Sequence, residues 1–260
     1  MPYNKSLLFT LLLSPLYHVQ AIANDTTPWE INLAGGTAEL NAQDFTTNIY
    51  PDLLISSDKN QQKNADDWKA WTIQAGVGYR FYLWDAKRYS DEIQWLPLLI
   101  PQINFYYLKG NVNGRVDKYY EYPMDPDCDV DYSVGVSSSR VMADLNLMFV
   151  SWRNYSLYGK AGIGPSWNRV DYRSKEGAAS EEIHLNPQTD TNFAYEFGGG
   201  ARVAITQHVG LSLEYLYTGF THLDLNNKGT LEGTGDLDDV DSDHFNLSSQ
   251  AVLLGVDVNF

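Results

Sequence analysis

A short-range alternation of apolar and polar residues, repeated in blocks along most of the chain, restricts this sequence more than any other feature. The clearest block runs from Trp71 to Leu83. Trp71, Ile73, Ala75, Val77, Tyr79, Phe81 and Leu83 alternate there with Thr72, Gln74, Gly76, Gly78, Arg80 and Tyr82. A strand places successive side chains on opposite faces, so such a block has one greasy side and one polar side. The pattern recurs over 29–34, 102–107, 140–149, 157–164, 193–205, 209–218 and 251–260. Eight strands are therefore expected, each near the ~9–11 residues that a tilted membrane-crossing strand requires.

The connections sort themselves by length. Residues 85–94, 151–154 and 206–208 are short links, whereas 41–69, 109–133, 169–191 and 220–246 are long, and short and long alternate strictly. A transmembrane barrel has short turns on one side of the membrane and long loops on the other, while a soluble sandwich has no reason to sort its loops this way. The tryptophans fall at strand ends in the same sense. Trp29, Trp84, Trp95 and Trp152 lie at the short-turn side, and Trp71 and Trp167 at the long-loop side. Indole rings collect at the two membrane interfaces because the ring is apolar and its N–H is wet. The expected fold is all-β: an eight-stranded antiparallel up-and-down barrel spanning an outer membrane, with short periplasmic turns and four long outer loops.

Residues 1–23 stand apart. Lys5 precedes the apolar run 6–13, Pro15 breaks it, and Ala21-Ile22-Ala23 supplies a small-residue cleavage pattern. This is expected to be a signal peptide for export through the Sec pathway, cut after Ala23, because its apolar core is too short to span a bilayer as a helix. Residues 24–260 then form one barrel domain. Beyond the leader no stretch approaches the ~20 apolar residues of a spanning helix. Removing Lys5 takes the formal charge from −15 to −16, which argues against nucleic acid as a partner, since that needs a cationic face. The single cysteine, Cys128, cannot form an internal disulfide. It is either incidental in an outer loop or available for an intermolecular bond.

The inward faces carry Glu30, Arg80, Arg140, Asp144, Lys160, Glu196, Arg202, Glu214 and Asp257. An eight-stranded interior is just wide enough for side chains to fill it, and unpaired buried charge is costly, so these nine are expected to pair into a salt-bridged plug. A narrow water-filled pore is the rival. Inward Gly76, Gly78, Gly162, Gly198 and Gly200 are expected to leave room for the long Arg and Lys side chains.

The stretch 249–260, ending in Phe260, resembles the assembly signal of bacterial outer-membrane proteins. The segment 198–205, followed by a tight turn and 210–215, resembles the penultimate hairpin of the OmpA-like and Opa-like small outer-membrane barrels. The resemblance implies a Gram-negative outer membrane, recognition of Phe260 by the barrel assembly machinery, and contact with outer-membrane lipid and lipopolysaccharide. No periplasmic domain is expected after Phe260.

Two acidic clusters, 125–131 and 236–243, hint at Ca²⁺, but counting from Asp125 puts Val130 and Val136 where an EF-hand needs Gly and Glu, so no metal site is assigned. His222 and His244 at the ends of the last long loop, with Asp224 and Ser248 nearby, form a conceivable triad without any distinctive spacing, and no catalytic residue or cofactor is assigned. The leading expectation is a monomeric, adhesin-like surface-interaction protein whose acidic outer loops meet a host or envelope ligand, because loops on a rigid scaffold carry recognition. The alternatives are a narrow channel for small or apolar solutes, or a lipid-modifying barrel enzyme.

Overall fold

The computed structural model describes residues 28–42, 45–49, 58–63, 67–83, 91–118, 129–174, 183–231, 235–237, 240–242 and 245–260. Eight long strands dominate: β1 (Trp29–Ala42), β2 (Asp67–Tyr79), β3 (Gln94–Lys118), β4 (Asp129–Trp152), β5 (Tyr155–Ser174), β6 (Gln188–Ala204), β7 (Val209–Leu223) and β8 (Phe245–Asn259). Each pairs antiparallel with its neighbours in sequence, and β8 pairs with β1, so the sheet closes into a ring of eight. Closure removes the unpaired edges that hydrocarbon would punish.

The register fixes the shape of the ring. Stepping from partner to partner leads from Ile31 to Val77, Ile103, Ala143, Ile163, Tyr195, Gly219 and Ser248, and returns to β1 at Asn41. The circuit ends ten residues further along β1 than it began. A stagger of ten residues at ~3.3 Å each, around eight strands ~4.7 Å apart, tilts the strands by about 41° and advances the chain about 2.5 Å along the axis per residue. Trp29 and Trp71 then lie about 23 Å apart along the axis, close to the ~25 Å apolar band of such barrels.

Within that band the outward side chains are apolar: Ile31, Leu33, Ile73, Val77, Ile103, Phe105, Leu145, Leu157, Ile163, Phe197, Leu213, Leu254 and Val256 are all exposed on the wall. Beyond it the pattern inverts. On β4, Val141, Leu145 and Phe149 face outward, but Val134 and Val136 are buried; on β5, Ile163 and Trp167 face outward, but Val170 and Tyr172 are buried. Leu40 on β1, Leu108 and Val112 on β3, Phe220 on β7 and Leu247 on β8 join the same buried apolar cluster. The outer part of the wall is thus mainly apolar inside, with Ser138, Ser166 and Asn168 buried among the apolar side chains, and polar outside, like a water-soluble barrel standing on the membrane-spanning one.

This inversion corrects two expectations. The segments 109–133 and 169–191 are largely strand rather than loop, because a strand that leaves the bilayer keeps its hydrogen bonds and only exchanges the faces that carry its apolar residues. Nor is the lumen polar throughout; its outer half is filled mainly by apolar side chains. The block 71–83 also divides. β2 stops at Tyr79, and Phe81–Tyr82 is a separate short strand with both rings exposed.

Two links on the other side are tight among the described residues. Trp152 and Tyr155 pair across Arg153 and Asn154, with Arg153 at φ 53°. The turn after β6 closes through the Ile205 and Thr206 N–H groups, which donate to the Val209 carbonyl at 2.9 and 3.0 Å. Short additional strands, Asp58–Lys63 with Phe45–Ile49 and Ile183–Leu185 with Gly229–Leu231, extend the outer rim from β3 and β5.

Candidate functional site: the barrel lumen

Alternation decides which side chains enter the lumen, and the stagger decides which of them meet. The structure brings all nine of the inward charges together in the inner half of the lumen, in one connected set. At its periplasmic end, the Arg202 guanidinium donates to both oxygens of Glu30 at 2.8 and 2.9 Å and to Asp257 Oδ1 at 3.0 Å. Arg80 Nε lies 3.6 Å from Glu30 Oε2. Further out, Lys160 donates to Glu214 at 3.1 Å and lies 3.9 Å from both Asp144 and Glu196. At the outer limit Arg140 Nε is 3.6 Å from Glu196, Arg140 Nη2 donates to Thr218 at 3.3 Å, and the guanidinium lies over the Tyr106 ring at 4.4 Å.

Neutral residues join these ion pairs into a continuous set. Tyr106 donates to Glu196 at 2.6 Å and Tyr158 to Glu214 at 2.8 Å. Gln102 donates to Glu30 at 3.0 Å and accepts from Asn32, Asn104 and Asn146. Asn104 also donates to Asp144. Several bonds run between strands that are not neighbours in the wall, among them Glu30 to Arg202, Tyr106 to Glu196 and Arg140 to Thr218, so they cross the lumen as spokes. Taking only charged residues from the sequence misses Gln102, Asn104, Tyr106, Asn146, Tyr158 and Thr218. Their signal was present: each occupies an inward position in the alternation.

Space around the network is small. A cleft of about 60 Å³ opens at the periplasmic mouth, lined by Arg80, Met148, Arg202, Asp257 and others. Above it a void of about 10 Å³ lies among Asn32, Gln74, Gln102, Asn146, Tyr158 and Glu214, roughly the room one water needs. The inward glycines do make room, but not chiefly for arginine and lysine. A Cβ at Gly76 would overlap Asn104, one at Gly162 would overlap Asp144, and one at Gly200 would press on Tyr158. Short polar side chains and a tyrosine ring occupy those gaps, because they are the neighbours across the ladder.

The tryptophans form two tiers on the outer wall. Trp29, Trp95 and Trp152 are exposed at the short-turn end, and Trp71 and Trp167 at the outer end. Trp84 lies outside the described residues. Trp71 packs on Tyr107 with ring centroids 5.4 Å apart. At the chain's end the Phe260 N–H donates to the Trp29 carbonyl at 3.1 Å, and the Phe260 ring is exposed.

The other singled-out residues are dispersed or not visible. His208 Nδ1 is 3.0 Å from the Asn259 carbonyl in its turn, and His184 Nε2 is 3.2 Å from Asp171. Ser248 donates to the Asn41 carbonyl at 3.4 Å, and the Asp224 N–H donates to Asp190 at 3.1 Å. The side chains of His222 and His244, Cys128, and most of both acidic clusters fall outside the described residues. Among the described residues no three His, Cys, Asp or Glu side chains are grouped as a metal site would require.

Solved structures resemble this chain in fold. The outer membrane protease OmpT from Escherichia coli superposes with a TM-score of 0.52 at 8% identity, covering 92% of this chain and 99% of that one. Neisserial surface protein A (NspA) gives 0.37 at 14% identity over 91% and 100%, and the attachment invasion locus protein Ail of Yersinia pestis gives 0.37 at 12% identity over 89% and 98%. No curated protein matches the sequence. The family model described as outer membrane protein beta-barrel domain matches residues 129–260, just over half of the chain. With the closed eight-stranded ring and its apolar outer band, that match identifies the chain as a member of the outer membrane protein beta-barrel domain family, a barrel of the bacterial outer membrane.

Proposed function

We propose that this barrel is a surface-interaction protein, adhesin-like, which meets its ligand through the outer rim rather than passing solute through its lumen. The observation that carries this reading is the occupied lumen: ion pairs fill its inner half and an apolar cluster its outer half. A solute would have to part both. What remains able to meet another molecule is the wall beyond the bilayer. Lys118 lies eleven residues past Tyr107 on β3, so the rim stands about 28 Å above the outer aromatic tier. Recognition elements held at that height on a closed barrel cost little ordering entropy on binding. Host or envelope ligands are the partners proposed for it. We also propose that Phe260 carries the signal read by the assembly machinery, and that residues 1–23 direct export through the Sec pathway and are then cut off after Ala23.

The test is adhesion. Bacteria displaying the protein should adhere to a panel of immobilised host-surface glycans and matrix proteins above the level of cells without it. A variant lacking residues 112–134, with β3 and β4 rejoined by a short turn, should still insert but lose that adhesion. Unchanged adhesion after this deletion, or no adhesion by the parent protein, would contradict the proposal.

A further inference from the structure

The outer wall carries an apolar groove and a cationic pair placed one above the other. The groove, of about 350 Å³, is lined by Leu33, Gly35, Ile73, Ala75, Phe105 and Leu254. It exists because Gly35 and Ala75 are small residues between large ones. It opens to the outside of the barrel, in the outer half of the apolar band. At its upper end stand Trp71 and Tyr107, in contact with their rings tilted by 51°. Directly beyond them the ladder aligns Trp71 with Lys109, Lys109 with Ser137, and Ser137 with Arg169.

Lys109 therefore stands just above the outer aromatic tier, and Arg169 about 6 Å higher, two strands away. Both side chains are exposed, and neither has an ion-pair partner among the described residues. Arg173, higher on β5, differs: it is paired with Asp171 at 3.3 Å. Two carboxylates stand nearby: Glu39 on β1, two strands from Lys109 on the side away from Arg169, and Asp171, two residues beyond Arg169 on β5, which Arg173 and His184 engage at 3.3 and 3.2 Å, so anionic charge is favoured between Lys109 and Arg169. In a chain of net charge −15, two outward cations at headgroup height around a serine select for phosphate, to which lysine supplies a point charge and arginine a fork of donors.

We propose that this wall binds a phosphate-bearing lipid of the outer leaflet, with an acyl chain in the groove and the phosphate between Lys109 and Arg169. The chain length inside the bilayer and the anion at its surface are recognised by separate parts of one site.

The test uses the refolded full chain in neutral detergent, titrated with dioleoyl phosphatidic acid and followed by native mass spectrometry. Dioleoylglycerol supplies the same chains without the anion, and inorganic phosphate the anion without the chains; both should bind at least tenfold more weakly. Lys109→Gln with Arg169→Gln should weaken phosphatidic acid at least tenfold, and Lys109→Arg should restore most of it in the Arg169 background. Gly35→Leu should fill the groove and weaken binding at least fivefold, since a Cβ there meets Ile73 Cγ2 at 3.6 Å and Thr72 O at 3.7 Å, ordinary contacts. Ala75→Leu provides a second filling variant, and heat-modifiable migration on gels selects the folded fraction of each. Binding within twofold of the parent by the double-glutamine variant, or by both filling variants, would overturn the proposal. So would dioleoylglycerol or free phosphate binding as tightly as phosphatidic acid.

Discussion

Arg202 meets two carboxylates, Glu30 and Asp257, from three directions of its guanidinium, and all three side chains are buried. Such a group is held by its partners, since removing one member of a buried pair leaves an uncompensated charge at a cost of about 3–5 kcal/mol. Arg202→Met should therefore lower unfolding free energy by that order in urea titrations of the vesicle-inserted protein. Adding Glu30→Gln and Asp257→Asn should recover much of the loss, because neutral amides tolerate the missing cation. A loss below about 1 kcal/mol in the single variant would mean that water, rather than protein, satisfies this cluster. The inward position of each of the nine charges was legible from alternation alone. Which charge meets which was not, because spokes such as Glu30 to Arg202 join residues 172 positions apart and depend on the ten-residue stagger, which no local pattern encodes.

At the scale of a strand, each element changes solvent along its length. β3 shows this most plainly: Ile103 and Phe105 face outward, then Leu108 and Val112 face inward. Lysine on the lipid-facing wall costs about 2–4 kcal/mol near the bilayer midplane and almost nothing beyond the interface. Ile103→Lys, near the middle of the apolar band, should lower stability by that amount, whereas Asn111→Lys, eight residues further out on the same face, should leave it unchanged within about 0.5 kcal/mol. Equal costs at the two positions would place the membrane boundary elsewhere. The strand cores were legible because period-two alternation is strong there. Their outer ends were not recognised, since at Val134, Val136, Val170 and Tyr172 the apolar residues occupy the opposite phase and look like a broken pattern. Across the phase shift the alternation continues in the opposite phase to the full lengths of β4 and β5.

For the whole molecule, the number of strands in the ring and their antiparallel order followed from the sequence, because closure in lipid leaves few other solutions for eight such strands. The filling of the lumen in two layers did not follow, because it needs the height of each inward residue as well as its face. Those layers carry the proposal of a surface-interaction protein over a channel, since an ion-paired floor beneath a mainly apolar layer should oppose the passage of both water and ions. Recording from single barrels in a planar lipid bilayer examines this most directly. A filled lumen should give a flat baseline at moderate voltage, with small conductance steps appearing only when Arg140→Ala or Lys160→Ala opens the network and Leu108→Ser and Phe220→Ser loosen the layer above it. Steady, well-resolved openings from the unaltered protein would contradict it.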